Sequence, residues 1–389
     1  MKKLLYLLLP LILLGFCSCE QNDLDSNFSD DNVANKILDG ANKGNKNFYF
    51  LPPMVSSPTF SGVFTPSLNP KVKIYALDGS DIIEPAIAVF DSSNGLTTDL
   101  IEEHYKVNWN TNDYNLDDQI TYRIQILVDA VVLGYADVDL VSGGNELKNV
   151  DTGEYIALKD GRTLPISFRI EEGAVINALL MEGLIAYYPF NGNANDESYN
   201  EYNGTVNGAM LTPDRYGNLN SAYSFNGTDN YIVAPVDMST LFNPGNPITF
   251  SLWMNSGFTT LIYYDFILGG VPGGGPDFFA SIKEGDQGKI RVRLYGGTHG
   301  VSDSSVLDGN WHHIAWGVDS SGIAFFYVDG VIQSSLPSIG LFTRETELVF
   351  GGRLDGALPF KDFYTGTIDD IRIYNRALSS GEIMTLFNN

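Results

Sequence analysis

A short loop near the middle of the sequence is dense in side-chain oxygens. Asn191, Asn193, Asn195 and Asp196 fall within six residues. Ca²⁺ prefers about six to eight oxygen ligands of this kind. The loop is not an EF-hand, because Asp196 stands at the sixth position, where that motif requires glycine. An Asn-rich turn that satisfies its own backbone would look the same, so both interpretations stay open.

A second candidate carboxylate lies near the end of the chain, in a predicted strand. Alternation along this strand predicts Asp369, Ile371 and Ile373 on one face, with Asp370 and Arg372 on the other. A carboxylate on an apolar face needs a metal or hydrogen-bond donors, because burying it unpaired is costly. We therefore expect Asp369 to point inward, towards a metal or donors. Asp370 is predicted to pair with Arg372 or Arg376 at the surface.

Aromatic residues suggest where a sugar ring would stack. The tryptophans lie in predicted strands, where core packing is the usual role of an indole. The better platform candidates lie in or near a glycine-rich loop: Tyr263, Tyr264, Phe278 and Phe279. Loop aromatics also serve in simple packing, so that alternative stays open.

Two adjacent histidines, His312 and His313, lie in another predicted strand. Neighbours on a strand face opposite ways, so the pair is not expected to bind one transition metal.

The first residues indicate export. Lys2 and Lys3 precede an apolar run from Leu4 to Leu14, which predicts a signal peptide over 1–18. The run is shorter than the roughly 20 residues of a membrane span. Cys19 follows the small residue Ser18 and resembles the acylated cysteine of bacterial lipoproteins. We expect a lipid anchor there and a place in the cell envelope, at the periplasmic or surface face of the outer membrane. A plain export signal is the alternative.

Composition limits the partners and the domain plan. The formal net charge is −24 and no Lys/Arg cluster occurs, so nucleic acid is disfavoured, whereas neutral sugars and cations meet no such barrier. The only two cysteines lie at the signal, so no internal disulfide is expected in the mature chain. Residues 19–46 are polar and predict a flexible tether.

Residues 47–172 read as an all-β module. Short apolar runs alternate with turn signals, as in Tyr122–Val128 and Ile166–Ile170, and predict an immunoglobulin-like β-sandwich. Trp109 alternates with Val107 and Tyr105 and is expected in its core. Residues 173–182 predict a connector or one short helix, and 183–389 a second β domain.

Six motifs in the second domain resemble the laminin-G-like family of the concanavalin A-like lectin/glucanase fold. They occur in the family's order: Gly183–Ser198, Phe225–Ile232, Ile248–Trp253, Asn310–Ala315, Tyr327–Gly330 and Gly366–Ser379. The resemblance implies a jelly-roll β-sandwich. It also implies bound calcium in many members, which adds Asp229 to Asp196 and Asp369 as candidate ligands, with Asn191 and Asn193 beside them.

Two local features of this domain are predicted from its residues alone, without the family resemblance. Asp329-Gly330 predicts a two-residue hairpin turn. Ser379 followed by Glu382 predicts a capping box that starts a last helix near Ser379–Phe387.

The chain also departs from the family's sequence motifs. Tyr199 and Glu201 interrupt the opening loop, and Gly257–Gly288 matches no family motif, so specificity is expected there.

Nothing in the sequence predicts catalysis. Glucanases of this fold carry Glu-x-Asp-x-Glu or a close variant on one strand, and this chain does not. The nucleophile elbow, zinc-protease and phosphate-loop motifs are also missing. We therefore expect a lipid-anchored, non-enzymatic protein that binds glycan or another extracellular ligand. The alternatives are an adhesion or assembly protein and a hydrolase with unrecognised catalytic residues. The oligomeric state is not indicated.

Overall fold

The computed structural model describes residues 37–141, 156–159, 161–198, 200–241, 245–257, 264–270, 278–283, 285–340, 347–353 and 362–389. All of these belong to one compact unit, Val33–Asn389. The predicted signal peptide and Cys19 lie outside the described residues. No helix in the described ranges is long and apolar enough to cross a membrane.

The first domain is a β-sandwich, as predicted. Its strands are β1 Ile37–Leu38, β2 Phe48–Phe50, β3 Pro70–Asp78, β4 Asp81–Phe90, β5 Thr97–Asp99, β6 His104–Asn110, β7 Thr121–Val128, β8 Val131–Val141, β9 Ile156–Lys159 and β10 Thr163–Ile170. One sheet has the order β1-β8-β7-β3-β4, with β9 parallel to β8, and the other has the order β2-β10-β6-β5. A 3₁₀ turn, Thr111–Asp113, follows β6.

Apolar side chains at every second position of the strands fill the core between these two sheets. In β7, Tyr122, Ile124 and Ile126 are buried and the residues between them are partly exposed. Trp109 is fully buried in the same core, so its predicted role in packing is confirmed.

The predicted tether to residue 46 is too long. Ile37 pairs with Ala136 in the sheet, and Asp39 is fully buried, where it accepts a hydrogen bond from the Phe50 amide at 2.9 Å. Residues 37–46 therefore belong to the first sandwich. Their polar composition suggested a flexible segment, but two of the polar side chains, Asp39 and Asn45, are buried and hydrogen-bonded.

The predicted connector is a helix, α1, spanning Ala174–Met181. Ala174 and Ala178 pack in the core of the first sandwich, whereas Leu180 packs with residues of the second. Arg376 from the second domain donates to the carbonyl oxygens of Leu179 and Glu182, both at 2.6 Å. A cation at the C-terminal end of a helix is favourable, so this contact fixes α1 to both domains.

The second domain contains fifteen described strands in two facing sheets. They are β11 Leu184–Tyr188, β12 Thr205–Asn207, β13 Met210–Thr212, β14 Ala222–Asn226, β15 Tyr231–Ala234, β16 Ile248–Asn255, β17 Tyr264–Gly270, β18 Phe279–Lys283, β19 Lys289–Arg293, β20 Gly300–Ser305, β21 Trp311–Val318, β22 Ala324–Val328, β23 Val331–Ile332, β24 Leu348–Phe350 and β25 Thr365–Tyr374. The helices are α2 Met238–Leu241 and α3 Ser380–Asn388.

The two sheets enclose one aromatic and aliphatic core. The first has the order β13-β14-β25-β16-β21-β22-β23, with β11 also paired to β25, and the second β12-β15-β24-β17-β18-β19-β20. Phe250 and Trp316 stack at 4.9 Å between ring centroids in this core. The architecture is the all-β, jelly-roll-like sandwich that the sequence predicted.

Both local signals in this domain are confirmed. Asp329 and Gly330 have φ of 51° and 73°, the positive values that a primed hairpin turn requires, and they join β22 to β23. The Ser379 hydroxyl accepts from the Glu382 amide, and the Glu382 carboxylate accepts from the Ser379 amide, which completes the capping box of α3.

Candidate functional site

Asp196 organises the oxygen-rich loop from within. One carboxylate oxygen accepts from the amides of Tyr187 and Ser198, both at 2.8 Å. The other accepts from the Ser198 hydroxyl at 2.7 Å and the Tyr202 amide at 3.0 Å. Four hydrogen bonds are about the full acceptor capacity of a carboxylate. Asp196 therefore ties its loop to the edge of the sheet.

The rest of this loop is exposed and borders a polar pocket. Asn191 and Asn193 are exposed, and the Asn193 side chain accepts from the Asn195 amide at 2.7 Å. A pocket of about 190 Å³, here called the rim pocket, is lined by Lys43, Asn195, Asp196, Glu197, Ser198, Glu201 and Asn203. Lys43 belongs to the first sandwich and lies 3.2 Å from the Glu201 carboxylate. The rim pocket thus lies where the two domains meet.

The Phe225–Ile232 motif forms the loop between β14 and β15, and Asn226 holds this loop together. The Asn226 side-chain oxygen accepts from the amides of Thr228, Asp229 and Asn230 at 2.9 to 3.3 Å. Gly227 has φ of 70°, and a Cβ there would lie 2.0 Å from the Thr365 hydroxyl, so only glycine fits. Asp229 is exposed and accepts from the Asn226 side-chain amide at 2.8 Å.

A β-bulge in β25 changes which way Asp369 points. In the pairing with β16, Ser251 is opposite Arg372 and Trp253 is opposite Asp369, so two residues of β25 face Leu252 alone. Asp370, in the bulge, has φ of 48°. Ile368 and Ile371 both enter the core, three residues apart. The prediction that Asp369 shares a face with Ile371 and Ile373 is therefore wrong.

Asp369 instead joins a buried charged cluster with Asp370, Arg215 and Arg372. One Arg215 nitrogen, Nη1, lies 2.9 Å from Asp369 Oδ2 and 2.7 Å from Asp370 Oδ2. The Tyr187 hydroxyl donates to Asp370 Oδ1 at 2.9 Å. The Arg215 guanidinium also lies over the Trp253 ring, 4.6 Å from its centroid.

The pKa values of the two carboxyl groups in this cluster are shifted in opposite directions. Burial, together with the neighbouring charge of Asp370, raises the pKa of Asp369 to about 8. Burial also acts to raise the pKa of Asp370, but Arg372 and Arg215 outweigh it and hold this pKa below its usual value. Asp370 does pair with Arg372, as predicted, although both side chains are mostly buried.

The charged cluster forms one wall of an open cleft of about 400 Å³ between the two sandwiches. This interdomain cleft is lined by Lys46, Asn47, Glu172, Gly173, Ile176, Asn177 and Leu180 on one side, and by Tyr187, Arg215, Asp370, Arg372, Leu386 and Asn389 on the other. Ligand sites occur preferentially at such domain junctions.

Residues 226–384 match the sequence profile of the family described as the concanavalin A-like lectin/glucanases superfamily. The match covers most of the second sandwich, including the paired strands β16, β21 and β25. The second sandwich is a concanavalin A-like domain. A search of curated proteins finds no match to this sequence.

Several solved structures are similar to this chain at low sequence identity. Domain 4 of AbnA, an extracellular arabinanase from Geobacillus stearothermophilus solved in complex with arabinotriose, is 23% identical; the match covers 52% of this chain and 97% of that one, with a TM-score of 0.40. The binding domain of Paraclostridial Mosquitocidal Protein 1 is 18% identical over 54% of this chain and 52% of its own, with a TM-score of 0.44. The botulinum neurotoxin serotype D/C binding domain is 13% identical over the same shares, with a TM-score of 0.41. This chain spans about half the length of the two toxin domains.

The predicted calcium ligands are not brought together in the concanavalin A-like domain. Asn226, which precedes Asp229, pairs with Thr365, whereas Asp369 lies four residues further along β25, about 13 Å away at the usual rise of a strand. Asp196 is occupied by four donors and Asp369 is paired with Arg215. In the ranges that the structure describes, no three His, Cys, Asp or Glu residues are grouped to hold a metal. The proposed ligand set therefore does not fit one calcium ion.

Two of the predicted aromatic platform residues lie in the core. Phe278 is fully buried between Phe250 and Tyr295, with ring centroids at 5.4 and 4.7 Å. Phe279 is 3% exposed and contacts the His299 ring. The prediction of an exposed platform is wrong for both, because Phe278 packs in the core of the sandwich and strand β18, which begins at Phe279, is buried on both faces. Tyr263 and the side chain of Tyr264 lie outside the described residues.

His312 and His313 face opposite ways, as their spacing predicted. His313 is fully buried, with Nε2 2.8 Å from the Ser251 hydroxyl, and burial lowers its pKa to about 3. His312 lies between two carboxylates, with Nδ1 2.8 Å from Asp329 and Nε2 3.0 Å from Asp308. The contact with Asp329, supported by the one with Asp308, raises the pKa of His312.

We expect the contribution of His312 to the stability of the concanavalin A-like domain to be lost as the pH rises above neutrality. Its stabilising charge is fully present below the unfolded pKa of about 6.5 and is lost as the pH rises through the higher pKa of the folded state. Replacing His312 with Gln should remove about 0.5–1 kcal/mol at pH 6 and much less at pH 9. Urea unfolding at both pH values measures this, with His104→Gln in the first sandwich as the control. Equal losses at the two pH values would contradict the role of the charge.

Proposed function

We propose that this protein is exported, anchored in the cell envelope by a lipid on Cys19, and binds glycan through its concanavalin A-like domain. The observation that carries the proposal is the two-sheet sandwich, most of whose described strands lie within the residues that match the concanavalin A-like lectin/glucanases superfamily. The export signal and Cys19 support the envelope location.

Binding without hydrolysis is part of the proposal. Glycoside hydrolysis requires two carboxyl groups about 5 to 10 Å apart that both reach the substrate. Asp369 and Asp370 are close and differ in acidity, but Asp369 is 2% exposed and both carboxylates share the Arg215 guanidinium. This arrangement favours a structural cluster over a catalytic pair.

The junction with the first sandwich supplies the polar surfaces that such binding needs. The rim pocket combines carboxylate and amide side chains with Lys43, and the interdomain cleft combines amides with arginine and tyrosine. Sugar hydroxyls both donate and accept hydrogen bonds, so mixed polar surfaces of this kind suit them.

A glycan array probed with the chain from residue 20 onwards tests the proposal. We expect binding to at least one glycan class, and the same classes in calcium and in EDTA, because the predicted calcium ligands are not assembled. A signal lost in EDTA would show that calcium takes part through other ligands. No binding to any glycan in either condition would refute the proposed function.

Adhesion through protein contacts is a second candidate, favoured by one observation. Ile323, Val331 and Ile332 are 55–64% exposed at the β22–β23 end of the first sheet of this domain. Exposed apolar residues at a sheet edge are suited to pairing with another chain. A pull-down of a stable envelope partner that Val331→Lys abolishes would support this candidate over glycan binding.

A further inference from the structure

Arg372 has unused hydrogen-bonding capacity in the wall of the interdomain cleft. Its guanidinium stacks on the Tyr187 ring at 4.1 Å from the centroid. The nearest carboxylate oxygen, Asp370 Oδ1, is 3.4 Å away, longer than a strong charge-assisted hydrogen bond. In the described part of the chain the guanidinium makes no hydrogen bond, although it carries five N–H donors. The Arg372 side chain is only 17% exposed, and it is held in place by the Tyr187 ring without hydrogen-bond acceptors for its donors among the described residues.

The neighbouring carboxylates of Asp369 and Asp370 already accept hydrogen bonds from other groups. Asp370 Oδ2 is bound by Arg215 and Oδ1 by the Tyr187 hydroxyl. Asp369 accepts from Arg215 through Oδ2 and from the Asp370 amide through Oδ1. The second Arg215 nitrogen, Nη2, donates to the Asn389 carbonyl oxygen at 2.7 Å. Arg215 thus supplies the main donors to this cluster, and the donors of Arg372 are left facing the cleft without an acceptor from the residues that the structure describes.

The opposite wall of the cleft offers groups suited to hydroxyls. Asn47 and Asn177 lie there and are joined to each other by one hydrogen bond. Each amide has further donor or acceptor capacity beyond that bond. Ile176 and Leu180 add a small apolar surface. A volume of about 400 Å³ lies within the range of small-ligand sites.

We propose that the interdomain cleft binds a carboxylate-bearing sugar residue, such as a uronic acid unit, with its carboxylate on Arg372 and its hydroxyls near the Asn47 and Asn177 amides. Arginine matches a carboxylate in a bidentate geometry, and the Tyr187 ring holds the guanidinium plane in place. The inference rests on the proposed function, since it names the class of glycan that the protein would select.

The test measures binding of uronate-containing oligosaccharides, each paired with its carboxyl-reduced counterpart, by calorimetry with the chain from residue 20 onwards. Two variants address the cleft. Arg372→Gln removes the charge, and Ile176→Trp fills the cleft from a position that is 45% exposed and so is not needed for the core. Arg291→Gln removes an equivalent charge in β19, away from the cleft, and is the matched control.

We expect at least one uronate glycan to bind about tenfold or more tightly than its reduced counterpart, and this preference to weaken in high salt. Arg372→Gln and Ile176→Trp should lose it, and Arg291→Gln should keep it. If Arg372→Gln fails to fold, Ile176→Trp decides alone. Equal binding of the acidic and reduced forms, or binding unchanged in Ile176→Trp, would overturn the cleft assignment and leave glycan binding intact. No binding of any glycan would instead refute the proposed function itself.

Discussion

Replacing Arg215 with Ala should lower the free energy of unfolding by about 3–5 kcal/mol at pH 7. Arg215 lies within 3 Å of both Asp369 and Asp370, and its side chain is 9% exposed. Its loss would leave two buried carboxyl groups with Arg372 as their remaining nearby cation. Removing one partner of a buried ion pair is costly, because the other charge stays out of water. Chemical denaturation of the full domain pair measures the loss.

The pH dependence separates charge from packing in this variant. Without Arg215, the pKa of Asp369 should rise further and the pKa of Asp370 should rise from its lowered value. Protonation at pH 5 then relieves the buried charge, so the loss should shrink. Arg291→Ala is the control, because its pair with Asp286 is about one-fifth exposed and should contribute less than about 1 kcal/mol. An equal loss at pH 5 and pH 7 would mean that Arg215 acts mainly by packing on Trp253.

Replacing Asp196 with Ala should cost about 3–4 kcal/mol, because three backbone amides and one hydroxyl lose their acceptor. These groups lie at a buried edge of the sheet, where an unsatisfied donor is costly. Thermal melts in calcium and in EDTA measure the loss, which we expect to be the same in both. Asp196→Asn should cost less, since one oxygen remains.

Asp229→Ala is the control for this second prediction. Its side chain is exposed and accepts only from neighbouring amides, so the loss should stay below about 1 kcal/mol. A loss for Asp196→Ala that appears only in calcium would identify Asp196 as a metal ligand and would reverse the interpretation of the loop.

The sequence alone determined those features that depend on neighbouring residues. Alternation in Tyr122–Val128 predicted a half-buried strand, and the strand is there. Asp329-Gly330 and the Ser379–Glu382 pair gave a hairpin and a helix start, both of which the structure confirms. Each signal is local: a period, a positive φ or a capping side chain within three residues. The order of the motifs also indicated the fold of the second domain.

The tertiary structure decided what depends on partners far apart in the chain. Strict alternation placed Asp369 in the core, but one extra residue in the bulge at Asp370 turned it towards Arg215, 154 residues away in sequence. No local pattern marks Arg215 as its partner. Phe278 lies within an unmatched, glycine-rich segment, and only the tertiary packing shows that it is buried. The interdomain cleft exists because α1 fixes one sandwich against the other. Side-chain direction and burial are set by register and packing across the fold, which a single sequence does not encode locally.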